Sequence, residues 1–377
     1  MADHALAGLR VLITNFELWP PSGTVTYVRD LALELVRQGH CPIVYSSTYG
    51  EVAEELRAAG VIVTHRRTET GGPPDVIHGH HYAPTLKAIR DWPSVPAIHI
   101  CHDYRWAEDK TPLHPHIYRH FGVSLVCVER LTAEGVEDER VELLPNFVDT
   151  HRFARRGDLP ARPRRALVFS NFAHPGSYLP AVEAACAATG LELDVIGAGM
   201  GMTAAHPETM LAQYDIVFAK GKAAMEAMAV GAAVVLCDIG GVGPLVTAEA
   251  FDDLRPLNFG IQTMHHPVDA ESLVREINRY DAQNAGLVCD LVRSRAGLAG
   301  AAERLTRAYR AAITEHKGDG SAVQMGPRQA LAPHQSVALS MFWRWRSMPD
   351  PRRERLKRLP GLAVALRMSR RLFTPRG

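Results

Sequence analysis

This sequence has little that would staple, polarise or embed a chain. Its six cysteines, at 41, 101, 127, 186, 237 and 289, stand singly, with no C-x-x-C pair. That excludes a disulfide framework or a cysteine zinc site and reads as reduced thiols of a cytosolic protein. An excess of charge of one sign is also missing: 42 Lys and Arg against 41 Asp and Glu give +1. Such a balance offers nucleic acid no general attraction. No long apolar run is present either. Residues 227–246 come nearest, but they hold an aspartate and four glycines and break into helix, turn, strand and loop. A membrane span is therefore not expected there. The opening MADHALAGLRVLITNF lacks a basic start followed by a long apolar stretch, so no secretory signal is expected. What is there is 377 residues with 46% apolar side chains, ample for a large core and two domains.

Short apolar runs alternate with helical patterns. RVLITNF (10–16), PIVYSS, VIVTHR (61–66), DVIHGH (75–80), AIHICHD (97–103), SLVCVE (124–129) and RVELLPN (140–146) read as strands. After WPPSG, Val25, Val28, Leu31, Ala32, Leu35 and Val36 recur at helical spacing, and Gly39 stops that helix. Apolar strands alternating with helices predict a parallel sheet covered on both faces. RRGDLPARPRR (155–165) interrupts the pattern with charge and proline. The alternation then restarts with ALVFSNF (166–172), LELDVIGAG (191–199), DIVFAKG (215–221) and AAVVLCD (232–238), and turns helical from about 270.

The expected organisation is an N-terminal domain over 1–154, a linker over 155–165 and a second domain over 166–316. A Gly-, Pro-, Gln- and Ser-rich linker over 317–338 and a tail over 339–377 follow. The tail holds eleven basic side chains and two acids, a net +9 that leaves −8 on the remainder. Leu362, Leu366 and Phe373 share one side of a helix pattern, with Arg367, Arg370 and Arg371 on the other. That pattern suits peripheral contact with an anionic membrane surface, and equally docking on the protein's own acidic body.

In open parallel sheets, ligands bind beyond the carboxyl ends of the strands. Those ends carry HGHH, CHDYRW, SNFAHPG, GAGMG, FAKGK and CDIGGVGP, rich in Gly, His and Lys. Such residues permit close backbone approach and binding of hydroxyls and phosphates. Five segments in order then resemble glycosyltransferase family 4 of the GT-B enzymes. They are SGTVTYVRDLALELVRQGH, DVIHGHH, LPNFVDTHRF (144–153), MEAMAVGAAVV (225–235) and CDIGGVGPLV, within residues 9–315.

The resemblance implies a GT-B fold, two Rossmann-like doubly wound α/β domains facing a central cleft, and a retaining transfer of sugar from a nucleotide donor. Donor and glycan or lipid-linked acceptor are the implied partners, with no metal or other cofactor, and the implied place is the cytoplasm or the inner face of its membrane. Glu226 matches the second glutamate of the Glu-x7-Glu signature, a ligand of the donor ribose. Gly23 matches the first-loop glycine near the donor phosphates, and His102 the histidine on the transferred sugar. Asn171, Gly197, Gly221 and Gly240 complete the implied donor site.

The departures are specific. Phe218 stands where the first signature glutamate is expected, and Asn171 and Pro175 stand near the expected Arg and Lys. A departing nucleoside diphosphate needs positive charge, for which Lys220, beside Lys222, is the substitute. GAGMGM (197–202) lacks the third glycine of a dinucleotide fingerprint. His78, His80, His81, His99 and His102 show no H-E-x-x-H or comparable metal spacing. A catalytically inactive scaffold of polysaccharide assembly and a sugar-nucleotide epimerase stay open at this level.

Overall fold

The computed structural model describes residues 8–19, 22–105, 107–202, 204 and 206–318. The tail expected over 339–377 lies outside the described residues. Strands β1 (Arg10–Thr14), β2 (Cys41–Tyr45), β3 (Ile62–Thr64), β4 (Val76–His80), β5 (Ala97–Cys101), β6 (Ile117–Gly122) and β7 (Val141–Leu143) form one sheet. Between them run α1 (Gly23–Arg37), α2 (Glu51–Ala58), α3 (Tyr82–Asp91) and α4 (Leu125–Ala133). The second sheet holds β8 (Arg165–Phe169), β9 (Glu192–Ile196), β10 (Ile216–Ala219), β11 (Ala233–Asp238) and β12 (Gly241–Leu245). Its helices are α5 (Leu179–Thr189), α6 (Pro207–Leu211), α7 (Gly221–Val230), α8 (Phe251–Leu254), α9 (Ala270–Ile277) and α10 (Ala282–Arg295); α11 (Leu298–Gly318) comes last.

The first sheet runs β3-β2-β1-β4-β5-β6-β7 and the second β12-β11-β10-β8-β9. β1 pairs in parallel with β2 and β4, and β8 with β9 and β10; β12 is antiparallel to β11. Both orders are doubly wound, as the strand–helix alternation predicts, and each reverses direction once. The reversals lie between β1 and β4 and between β8 and β10, where such sheets bind ligands. By packing, the described residues through His120 and those from Tyr309 on make one compact unit, and Phe121–Ala308 the other. Residues 155–164 carry no helix or strand.

The second sheet shows why the sequence must fold this way. Alternate side chains of a strand face opposite sides. Leu167, Val217, Val234 and Leu236 bury against one helical layer that includes α7 and α10. Val168, Ile216, Phe218 and Val235 bury against another, with α5 and α9. Strands covered on both faces read as continuous apolar runs, as VVLC does. Among the described residues no helix is long and apolar enough to cross a membrane.

Three local expectations are corrected. SLVCVE is not a strand but the start of α4: Ser124 is its extended N-cap, and Cys127 and Leu131 turn inward while Leu125 stays exposed. The strand before it, β6, went unseen because Arg119 and His120 interrupt its apolar run. The segment after Gly240, expected as a loop, forms the short strand β12.

Candidate functional site

At the carboxyl edge of the second sheet, the strand ends assemble a site from one or two residues each. After β8, the Asn171 side-chain oxygen accepts from the Ala198 amide at 3.0 Å, tying this turn to the one after β9. Gly197 completes the join: a Cβ there would stand 1.9 Å from the Ser170 carbonyl oxygen, so no larger residue fits. After β10 the chain turns into α7 through one residue, Lys220. Gly221 follows with φ +57°, a left-handed conformation that favours glycine. Its amide donates to the Phe259 carbonyl at 2.9 Å, which fixes the loop after α8 against the start of α7.

Charges at this edge are paired closely. Lys220 forms an ion pair with Asp238, the last residue of β11, whose carboxylate is wholly buried. The same ammonium lies 5.0 Å from the centre of the exposed Phe172 ring, spanning the β8–β10 reversal. Two residues into α7, Lys222 lies 3.7 Å from Glu226 and donates to the Phe147 carbonyl at 3.4 Å. Glu226 is 8% exposed and sits in the second turn of α7. Gly240 lies in the exposed turn between Asp238, the end of β11, and Gly241, the start of β12.

Asn171, Gly197, Lys220, Gly221 and Gly240 therefore lie just past the carboxyl ends of their strands, and Glu226 lies one turn into α7. Phe218 does not join them. It lies inside β10 with its ring fully buried in the core, and the single-residue turn after Ala219 leaves no loop for a signature glutamate. Asp238 and the segment Arg255–Asn258–Phe259 belong to the same neighbourhood but were not picked out from the sequence. Asn258 and Phe259 both have positive φ, 56° and 49°. The Asn258 side-chain oxygen is buried with no hydrogen-bond partner. The LNFG run could have suggested a tight turn, since asparagine tolerates the left-handed region; its placement beside α7 needs the tertiary structure.

Gly23 and His102 belong to the first unit. Gly23 opens α1 after Ser22, whose side chain accepts from the Val25 amide, and a Cβ there would meet nothing within 4 Å. His102, just past β5, shares a hydrogen bond of 2.5 Å between its Nε2 and His80 Nδ1. The rings of His78, His80 and His102 stack in sequence, 4.6 and 4.7 Å between centres, with the Tyr27 ring edge-on to the last two. His78 Nδ1 closes the row with a 2.6 Å bond to the Tyr309 hydroxyl.

This row is electrostatically neutral at pH 7. Burial pushes His102 down to about 4, against the pull of the Asp109 carboxylate and with the help of His81. His78 falls to about 3, from burial and then from His102, and burial also lowers His80 and His99. His81 holds a strained φ of 61° at the start of α3, its Nδ1 3.4 Å from Asp109. Burial pushes the Glu17 carboxyl, after β1, up to about 7, while His81 opposes the shift. Among the described residues, no three His, Cys, Asp or Glu side chains are placed to hold a metal ion.

Residues 21–152 match the family model of Glycosyltransferase Family 4, from just before α1 to past β7. No curated protein matches the chain significantly. Among solved structures, a glycosyltransferase from Rickettsia africae is similar with a TM-score of 0.59 at 13% identity, over 81% of this chain and 99% of that one. Anabaena HepE in complex with UDP and glucose has a TM-score of 0.56 at 14% identity, over 80% and 99%. UDP-GlcNAc 2-epimerase from Neisseria meningitidis, bound to UDP-GlcNAc, has 0.50 at 11%, over 80% and 100%. At these identities the likeness establishes the fold: two Rossmann-like sheets of the GT-B class.

Proposed function

From a chain of the GT-B fold whose residues 21–152 match Glycosyltransferase Family 4, we propose a retaining glycosyltransferase. It moves a hexose from a nucleoside-diphosphate sugar to a hydroxyl of a glycan or lipid-linked acceptor. The observation that carries this reading is the placing of Asn171, Gly197 and Lys220 at the strand ends around the β8–β10 reversal, with Glu226 one turn into α7. The UDP bound by HepE adds support for a nucleotide donor. Glu226 accepts from two ribose hydroxyls, a task that suits a carboxylate. His102, neutral at pH 7 and held by His80, contacts the transferred sugar.

In the proposed step the bond from the anomeric carbon to the diphosphate oxygen breaks, and its electron pair leaves with the phosphate. The acceptor oxygen bonds to the same face of that carbon, and its proton passes to the departing phosphate oxygen. The protein supplies position and stabilises the charge. Lys220 reaches the phosphates only by sharing its ammonium with Asp238. We place the reaction in the cytoplasm, with residues 339–377 contacting an anionic membrane surface through their +9 charge. The domain limits of 1–154 and 166–316 are proposed with it.

Release of UDP or GDP from a nucleotide sugar by the purified protein, lost in Glu226→Ala, tests the proposal; proton NMR of the product reads the anomer. A second reading, an inactive scaffold, is favoured by the one-residue turn after β10, which leaves out the first signature glutamate. It predicts no nucleotide release.

A further inference from the structure

Three cations border α7 near its start, and two of them face acids: Lys220 faces Asp238, and Lys222 faces Glu226. The third, Arg255, follows α8 and reaches the helix with Nη1 3.8 Å from the Met225 sulfur, one residue before Glu226. Among the described residues no carboxylate pairs with it. Burial lowers its guanidinium to about 10 with no acid to hold it up. A desolvated guanidinium without a counter-charge is costly, and an anionic ligand removes that cost.

We propose that Arg255 binds the diphosphate in this chain, in place of the basic residues missing at Asn171 and Pro175. The inference rests on the donor-binding reading above for the identity of the ligand, a nucleoside diphosphate. The anion site itself rests on the unpaired guanidinium. A planar fork suits a phosphate with two parallel hydrogen bonds, which a lysine cannot reproduce.

The test is calorimetric titration of the full chain with pyrophosphate, UDP, GDP and uridine, for wild type, Arg255→Met and Arg255→Lys. Methionine fills the volume beside Met225, and lysine keeps the charge but loses the fork. The expected result is a loss of about tenfold to a hundredfold in affinity for pyrophosphate and for the nucleotide bound, in Arg255→Met. Arg255→Lys falls between, and uridine affinity is unchanged. If Arg255→Met does not fold, Arg255→Lys alone decides: an affinity equal to wild type overturns the proposal. So does a folded Arg255→Met that binds pyrophosphate normally, or a wild type that binds none. Pyrophosphate bound through Arg255 without turnover of any nucleotide sugar leaves the anion site standing and defeats the transferase reading. Turnover that Arg255→Met leaves untouched does the reverse.

Discussion

Lys220 and Asp238 face each other across the ends of neighbouring strands, an ammonium against a carboxylate with no exposed surface. Breaking such a pair leaves an uncompensated buried charge. Lys220→Met is therefore expected to destabilise the protein by about 3–5 kcal/mol. The double change Lys220→Met with Asp238→Asn restores most of that loss, because no charge is left stranded. Urea unfolding of the two single variants and the double variant checks this. If Lys220 contacts the phosphates as proposed, Asp238→Asn releases it, and pyrophosphate affinity should rise.

Glu226 provides a cleaner functional variant. Glu226→Gln keeps the shape beside Lys222 but, in the proposed role, weakens acceptance from ribose hydroxyls. The expected outcome is a rise of about tenfold in donor KM, with a smaller change in kcat. Steady-state kinetics with varied donor measure it. An equal fall of kcat and kcat/KM would assign Glu226 to the transition state instead.

Two glycines predict opposite outcomes. At Gly197 an added Cβ meets the Ser170 carbonyl at 1.9 Å, so Gly197→Ala must displace backbone where β8 and β9 end. It should cost about 2 kcal/mol or more and also weaken donor binding. At Gly23 nothing lies within 4 Å, so Gly23→Ala should leave the melting temperature unchanged or slightly raised. A loss of donor affinity in that stable variant would show close approach of the ligand to the α1 start.

The imidazole row predicts acid sensitivity. His78 and His102 titrate in the fold at about 3 and about 4, below the ordinary imidazole value of about 6.5. As pH falls below about 6.5, the unfolded chain takes up protons that the folded chain refuses. Stability is then lost progressively until the folded values are reached, and these groups add no pH dependence above about 7. Each such group contributes a loss of up to about 2 kcal/mol by about pH 5. Unfolding free energies at pH 7.5 and 5 measure the slope, and His99→Leu, which removes one buried imidazole, should flatten it.

Much of this was legible in the sequence, for a physical reason. Strands buried on both faces are continuous apolar runs, and the turns between them need Gly, Ser and Asp, so VVLCD and RVLITNF announce themselves. β6 did not, because its Arg119 and His120 mask the run, and LVCV in α4 imitates a strand with β-branched residues. At the site, Glu226 was nominated by the family resemblance, and Lys220 as the nearest cation to stand in for the missing basic residues. Their partners were not: Asp238 reads as a strand-end acid, and Arg255 as one arginine among many. Whether a charge is paired depends on burial and on neighbours distant in sequence, as with Arg255 against Met225.

As proposed, this chain takes its sugar from a nucleotide donor held by the second sheet. The most direct measurement is nucleotide release by the purified protein, across UDP-, GDP- and dTDP-sugars, beside Glu226→Ala. Saturable release of a nucleoside diphosphate from at least one donor is expected, abolished or strongly reduced in the variant. Absence of both release and thermal stabilisation with every donor would contradict it.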